Sequence, residues 1–192
     1  AAAARPDVDP AYINYCVECL TSYLDAGATM TYTIPIEPVP ARRPGGRVGG
    51  AGVGLAFSGV RLDGPAPVDA ILGAHTLAPF DDCGGHVNLN AGYHVHAITG
   101  CLNDSAAANP HAPVIGIAMD GVALHTRLNT DGSIPEALDG CGGHTMPDLG
   151  YHYHVGAPGG NAVLACHVAQ TGCSSDSPDR YCDASVRRPP PR

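Results

Sequence analysis

The chain contains no tryptophan, no lysine and only two phenylalanines among 192 residues. All ten basic residues are arginine, and they form no stripe or patch. With a formal net charge of −8, no surface is expected to track a phosphate backbone, so nucleic acid is not expected as a partner. No apolar run approaches the roughly 20 residues of a membrane-spanning helix. The sequence has no GxSxG, no HExxH and no phosphate-cradling GxxxxGK motif, so it carries none of these hydrolase or nucleotide-binding signatures. Charged residues are sparse at 15%, and their acidic balance suits solubility and attracts cations.

Glycine (25), proline (18), histidine (10) and cysteine (8) are plentiful instead. So much backbone punctuation favours short strands and many turns over long helices. The 44% hydrophobic content is enough for a buried core. Only Cys16 and Cys19 form a CxxC, and no second one completes a zinc ribbon. The cysteines therefore read as disulfides, which places the protein in an oxidising, secreted or cell-surface setting. The opening "AAAARPDVDP" reads as the start left after removal of a signal peptide. Asn103 heads an N-glycosylation sequon.

Along the chain, "DPAYINYCVECLTSYLDAG" predicts a helix. Asp9 can cap it, Pro10 suits its first turn and Gly27 can end it. Ile13, Cys16, Leu20 and Leu24 share one face. Cys16 and Cys19 would be strained bridging each other inside a helix. They are expected to pair outward, with Cys173 and Cys182 of the tail or with a neighbouring subunit. "TMTYTIPIEP" alternates like a strand and is interrupted by Pro35.

An internal repeat organises the remainder. "VGLAFSGVRL" (53–62) matches "IGIAMDGVAL" (115–124), and the central SG and DG predict hairpin turns. "CGGHVNLNAGYHVH" (83–96) matches "CGGHTMPDLGYHYH" (141–154), each followed by another cysteine. The repeat pairs Cys83 with Cys101 and Cys141 with Cys166, each loop worth about 3 kcal/mol in the chain-entropy model. The fold expected is mainly β: two pseudo-symmetric β-rich repeats forming one disulfide-stabilised domain, plus one N-terminal α-helix. Residues 1–28 form the helical segment and 29–172 the domain, with repeats at about 51–101 and 113–166. Residues 173–192 are a polar, proline-rich tail.

A strand points alternate side chains to one face, so His94 and His96 share a face, as do His152 and His154. Two imidazoles side by side can converge on one metal ion. Each CGGH turn offers a third, His86 or His144. Neutral nitrogen ligands favour copper, zinc, nickel or iron over calcium or magnesium, and the affinity series puts copper(II) highest. Asp82 and Asp139 are candidate partners to orient an imidazole. The alternative is that the paired histidines hydrogen-bond across a pseudo-twofold interface. His75, His111, His125 and His167 have no counterpart in the other repeat and read as structural, with His125 and His167 the likeliest exceptions to that reading.

The two CGGH turns, "YHYH" at 151–154 and the "IGIAMDG" hairpin resemble the YHYH-domain family over about residues 30–170. That resemblance implies a secreted or surface protein with this fold. Val95 departs from it, standing where the second tyrosine belongs; the histidines are kept. The function expected is extracellular, non-catalytic metal binding through His86, His94, His96, His144, His152 and His154, with copper first and zinc second. One alternative is a self-associating structural subunit of a fibre or surface assembly, with metal and disulfides as staples. Another is a three-histidine metal-dependent enzyme, for which the sequence supplies no separate general base.

Overall fold

Two chain reversals set the centre of the molecule. At Ser58-Gly59 and Asp120-Gly121 the glycines take φ +85° and +87°, a left-handed conformation that glycine adopts without penalty. The hairpins predicted from the SG and DG turns form there. Strand β2 (Gly54–Ala56) runs antiparallel to β3 (Arg61–Leu62), and β6 (Val114–Ala118) to β7 (Ala123–His125). The computed structural model describes residues 29–41, 48, 52–66, 80–81, 83–88, 91–102 and 111–174. The expected N-terminal helix, the tail beyond residue 174, His75, and Cys16, Cys19 and Cys182 lie outside them.

Eight strands form one sheet. Strand β2 pairs antiparallel with β6 at its middle, with Leu55 opposite Ile117. Each GYH segment then lies parallel beside a hairpin strand: β5 (Gly92–Val95) beside β3, and β9 (Gly150–His154) beside β7. The CGGH segments form the edges, β4 (Gly85–Asn88) against β5 and β8 (Gly143–Met146) against β9. The order is therefore β4-β5-β3-β2-β6-β7-β9-β8. Counted inward from either edge, it runs CGGH strand, GYH strand, second hairpin strand, first hairpin strand.

A separate two-stranded ladder pairs β1 (Tyr32–Thr33) with β10 (Cys173–Ser174). Strand β1 ends before Pro35, whose ring nitrogen cannot donate to a ladder. Among the described residues there is no α-helix. The core is apolar and continuous under the sheet. Val53, Leu62, Val95, Ile115, Leu124 and Tyr153 are all but fully enclosed. Each such side chain contributes about 1.5–3 kcal/mol by leaving water.

Disulfides Cys83–Cys101 and Cys141–Cys166 form as the matched spacing predicts, with Cα atoms 5.5 and 4.8 Å apart. Each ties a CGGH turn to the chain that follows its GYH strand. Cys173 is also disulfide-bonded, to a partner outside the described residues.

Candidate metal centres

The two CGGH turns are built alike. Gly84 and Gly142, each the first glycine of its pair, take φ +77° and +84°. The second glycine of each pair must lack a side chain for a different reason. A Cβ on Gly85 would stand 2.6 Å from the hydroxyl of Tyr93, and one on Gly143 would collide with that of Tyr151. Those hydroxyls are passing over the turn to reach a carboxylate. Tyr93 donates to Asp81 Oδ2 at 2.7 Å, and Tyr151 to Asp139 Oδ2 at 2.8 Å. The other oxygen of each aspartate accepts two backbone N–H groups of the turn, from Cys83 and Gly85 or from Cys141 and Gly143. Burial pushes the Asp139 carboxyl up. The hydrogen bonds from Gly143, Tyr151 and Cys141 outweigh it and hold the pKa below the usual value.

The same strands aim the histidines. Gly92 and Gly150 take φ +64° and +69° as β5 and β9 begin. Their carbonyls accept from the ring two residues on, His94 Nδ1 and His152 Nδ1, both at 3.0 Å. His96 Nδ1 bonds Gly64 O closely, and His154 Nδ1 bonds Thr126 O at 2.8 Å. His144 Nδ1 bonds Glu136 O at 2.9 Å. Backbone carbonyls thus orient these imidazoles, where the sequence suggested carboxylates. Asp139 is occupied by its turn and by Tyr151, and Asp82 lies outside the described residues. A backbone carbonyl carries no side-chain signature, so it could not be read in advance.

The six histidines named from the sequence gather into two separate groups. His86, His94 and His96 form one; His144, His152 and His154 form the other, joined by His111. Within each group the ligand atoms lie within 4.8 Å of one another. In the first, His86 Nε2 is 2.9 Å from His94 Nε2 and 3.1 Å from His96 Nε2. In the second, His144 Nε2 is 2.9 Å from His152 Nε2 and 3.2 Å from His154 Nε2. His111 Nε2 lies 2.8 Å from His152 Nε2. His94, His152 and His154 are almost fully buried, while His86 and His144 border solvent.

Such short contacts could be hydrogen bonds between histidines, but backbone carbonyls restrict the tautomers of five of the rings. A carbonyl only accepts, so the Nδ1 atoms of His94, His96, His144, His152 and His154 all carry their proton. In the neutral ring Nε2 is then a bare lone pair. Burial, with repulsion from neighbouring imidazoles, pushes His86, His152 and His154 down to about 4, so these rings are neutral at pH 7. His152 and His154 then each turn an Nε2 lone pair toward His144 Nε2. A metal ion held between these nitrogens would use those lone pairs. An ion about 2.0–2.1 Å from each nitrogen sets pairs of nitrogens roughly 2.9 Å apart at a right angle and roughly 3.3 Å apart at the tetrahedral angle. Four of the five separations, 2.9–3.2 Å, fall in that range, and His111–His152 at 2.8 Å is just short of it. Both groups can hold a metal ion, and the carbonyl acceptors are the outer partners that metal-bound histidines require.

His111 was the residue the sequence did not assign to the site. It precedes β6 and has no histidine counterpart in the first repeat, so repetition could not reveal it. His125 packs against the second group, its ring centroid 4.5 Å from that of His152. His167 is occupied elsewhere, bonding Val53 O through Nε2 at 2.9 Å.

No match is found among curated proteins or among solved structures. The model of the family described as YHYH protein matches residues 31–134, more than half the chain, a stretch that holds the first histidine group and His111 and ends before His144. On that match, and with both CGGH turns and the GYH strands in place beside it, the chain belongs to the YHYH family.

Proposed function

We propose that this chain is an exported, non-catalytic metal-binding protein that holds one ion in each histidine group, with copper preferred and zinc second. The observation that carries the reading is the convergence of Nε2 atoms in each group, with five of the rings held by a backbone carbonyl at Nδ1. Nitrogen-only ligand sets follow the affinity order that ends at copper(II). Disulfides at Cys83–Cys101 and Cys141–Cys166 support an oxidising compartment. The strand order supports two copies of one unit related across the β2–β6 pair. It also supports a single domain over 29–172, because the sheet is continuous across that pair. The polar groups beside the sites favour binding over catalysis. Asp81 with Tyr93, and Asp139 with Tyr151, are engaged with each other and with the turns.

Metal-free protein titrated calorimetrically with copper(II), and separately with zinc(II), tests this. Two equivalents of copper should bind, and more tightly than zinc. His94→Ala/His96→Ala and His152→Ala/His154→Ala should each leave one. No heat and no retained metal with either ion would sink the proposal.

A further inference from the structure

We propose that His111, held by Asn129, closes the β8–β9 site into a four-imidazole cage that excludes other ligands. The inference rests on the metal-binding reading and assigns a fourth arm to one of its two sites.

His111 enters from outside the strand pair that carries the other three histidines. Its ring stands edge-on to those of His152 and His154, with both centroids 4.9 Å away, and stacks on His144 at 5.6 Å. Three imidazoles thus come from the β8–β9 face and one from above it. The shift of 62 residues that aligns Val53 with Ile115 aligns Gly49 with His111. A glycine has no side chain to ligate with, so the first repeat lacks this arm.

The arm is anchored on two sides. His125 Nδ1 bonds the carbonyl of Ala112 at 2.7 Å, and Thr126 N bonds Pro113 O at 2.8 Å, which pins the segment bearing His111 to β7. On the other side stands Asn129. Its Nδ2 donates to Ser133 Oγ at 3.0 Å, and Ser133 donates to Asp131 Oδ1 at 2.6 Å. The backbone of this loop is closed by Asn129 N to Ser133 O and Gly132 N to Asn129 O, both 2.9 Å. Asn129 Oδ1 is buried and has no hydrogen-bond partner. The Asn129 side chain stands close enough to His111 to act on its ring, against the effect of burial. A buried amide oxygen without another partner is costly. Accepting from His111 Nδ1 would remove that cost. It would also leave His111 Nε2 as a lone pair, the same arrangement the carbonyls enforce on the other three rings. Four nitrogen ligands fill a tetrahedral zinc ion or the square plane of copper(II); three leave a position for water or an anion.

The test uses full-length His94→Ala/His96→Ala protein, in which the β8–β9 site alone takes copper(II), with azide as the probe. Copper should bind without an azide charge-transfer band. Adding His111→Ala should weaken copper binding about 10–100-fold and let the azide band appear, and free imidazole should suppress that band. Asn129→Ala keeps every ligand and covers the case in which the His111 variant fails to fold. It should weaken copper about 10-fold, with Asn129→Asp restoring most of the loss. Azide binding before His111 is removed, or copper affinity indifferent to both residues, would overturn the cage. Absence of copper from the starting protein would overturn the metal-binding reading itself, and the cage with it.

Discussion

A single histidine in this protein is defined by both ring nitrogens. For His152 and His154 the carbonyl on Nδ1 selects the tautomer, and burial keeps the ring neutral. His86, His152 and His154 are lowered from 6.5 to about 4, first by desolvation and then by the neighbouring imidazoles. Their unfolded counterparts titrate near 6.5. Between these values the unfolded chain binds more protons than the native one, so stability rises with pH across that window. Metal-free protein should therefore keep its full stability above about pH 6.5 and lose it progressively toward pH 4. The histidine contribution should level off below that. Thermal melts at half-unit pH steps would show it. A midpoint that did not move between pH 6.5 and 4 would mean that these rings are protonated in the folded state. The six paired histidines were legible in the sequence because repetition marks them. His111 was not, because an arm present in only one copy has nothing to be matched with.

At the level of elements, the motif Gly-Tyr-His-x-His is a strand with five assigned positions. The glycine turns its carbonyl to the first histidine, the tyrosine crosses to the turn's aspartate, and the x position faces the core. That last position distinguishes the two copies. In β9 it is Tyr153, fully buried, which donates to Asp120 Oδ2 at 2.7 Å and accepts from Val168 N at 2.7 Å. In β5 it is Val95, and Ser58 stands where Asp120 would be. A polar pair in one copy is thus replaced as a pair in the other, since a buried carboxylate without its tyrosine would be costly. Tyr153→Phe should destabilise the protein by about 1.5–3 kcal/mol, because Asp120 keeps only its bonds to backbone N–H groups. Urea unfolding measures this, and a change under 0.5 kcal/mol would show that the pair is dispensable. The reciprocal Val95→Tyr has no aspartate to meet. The hairpins could be read from SG and DG between apolar runs, since turn chemistry is local. The parallel pairings β3–β5 and β7–β9 could not, since each joins segments about thirty residues apart in the chain with no local signal.

For the whole molecule, the decisive contact is the β2–β6 pair, where the two halves of the sheet meet. Backbones approach there because glycines lie on both sides. A Cβ on Gly116 would stand 2.8 Å from Ala56 Cα and collide with Leu55 O, and one on Gly54 would stand 2.9 Å from Leu124 Cδ1. The collisions are with backbone and core, so nothing flexible can yield. Gly116→Ala should cost about 1–3 kcal/mol by overpacking. What it does to the melting profile decides whether 29–172 is one domain. The histidine groups sit toward opposite edges of the sheet, on β4–β5 and β8–β9, and the seam lies between them. If the core is one cooperative unit, calorimetry of Gly116→Ala should show a single transition at lower temperature. A copper-induced rise in midpoint of that single transition should then be seen with either histidine group removed, because an ion bound at one edge stabilises the whole native state. Two resolved transitions, each responding only to the ion in its own half, would instead make the halves independent domains joined at a weak seam.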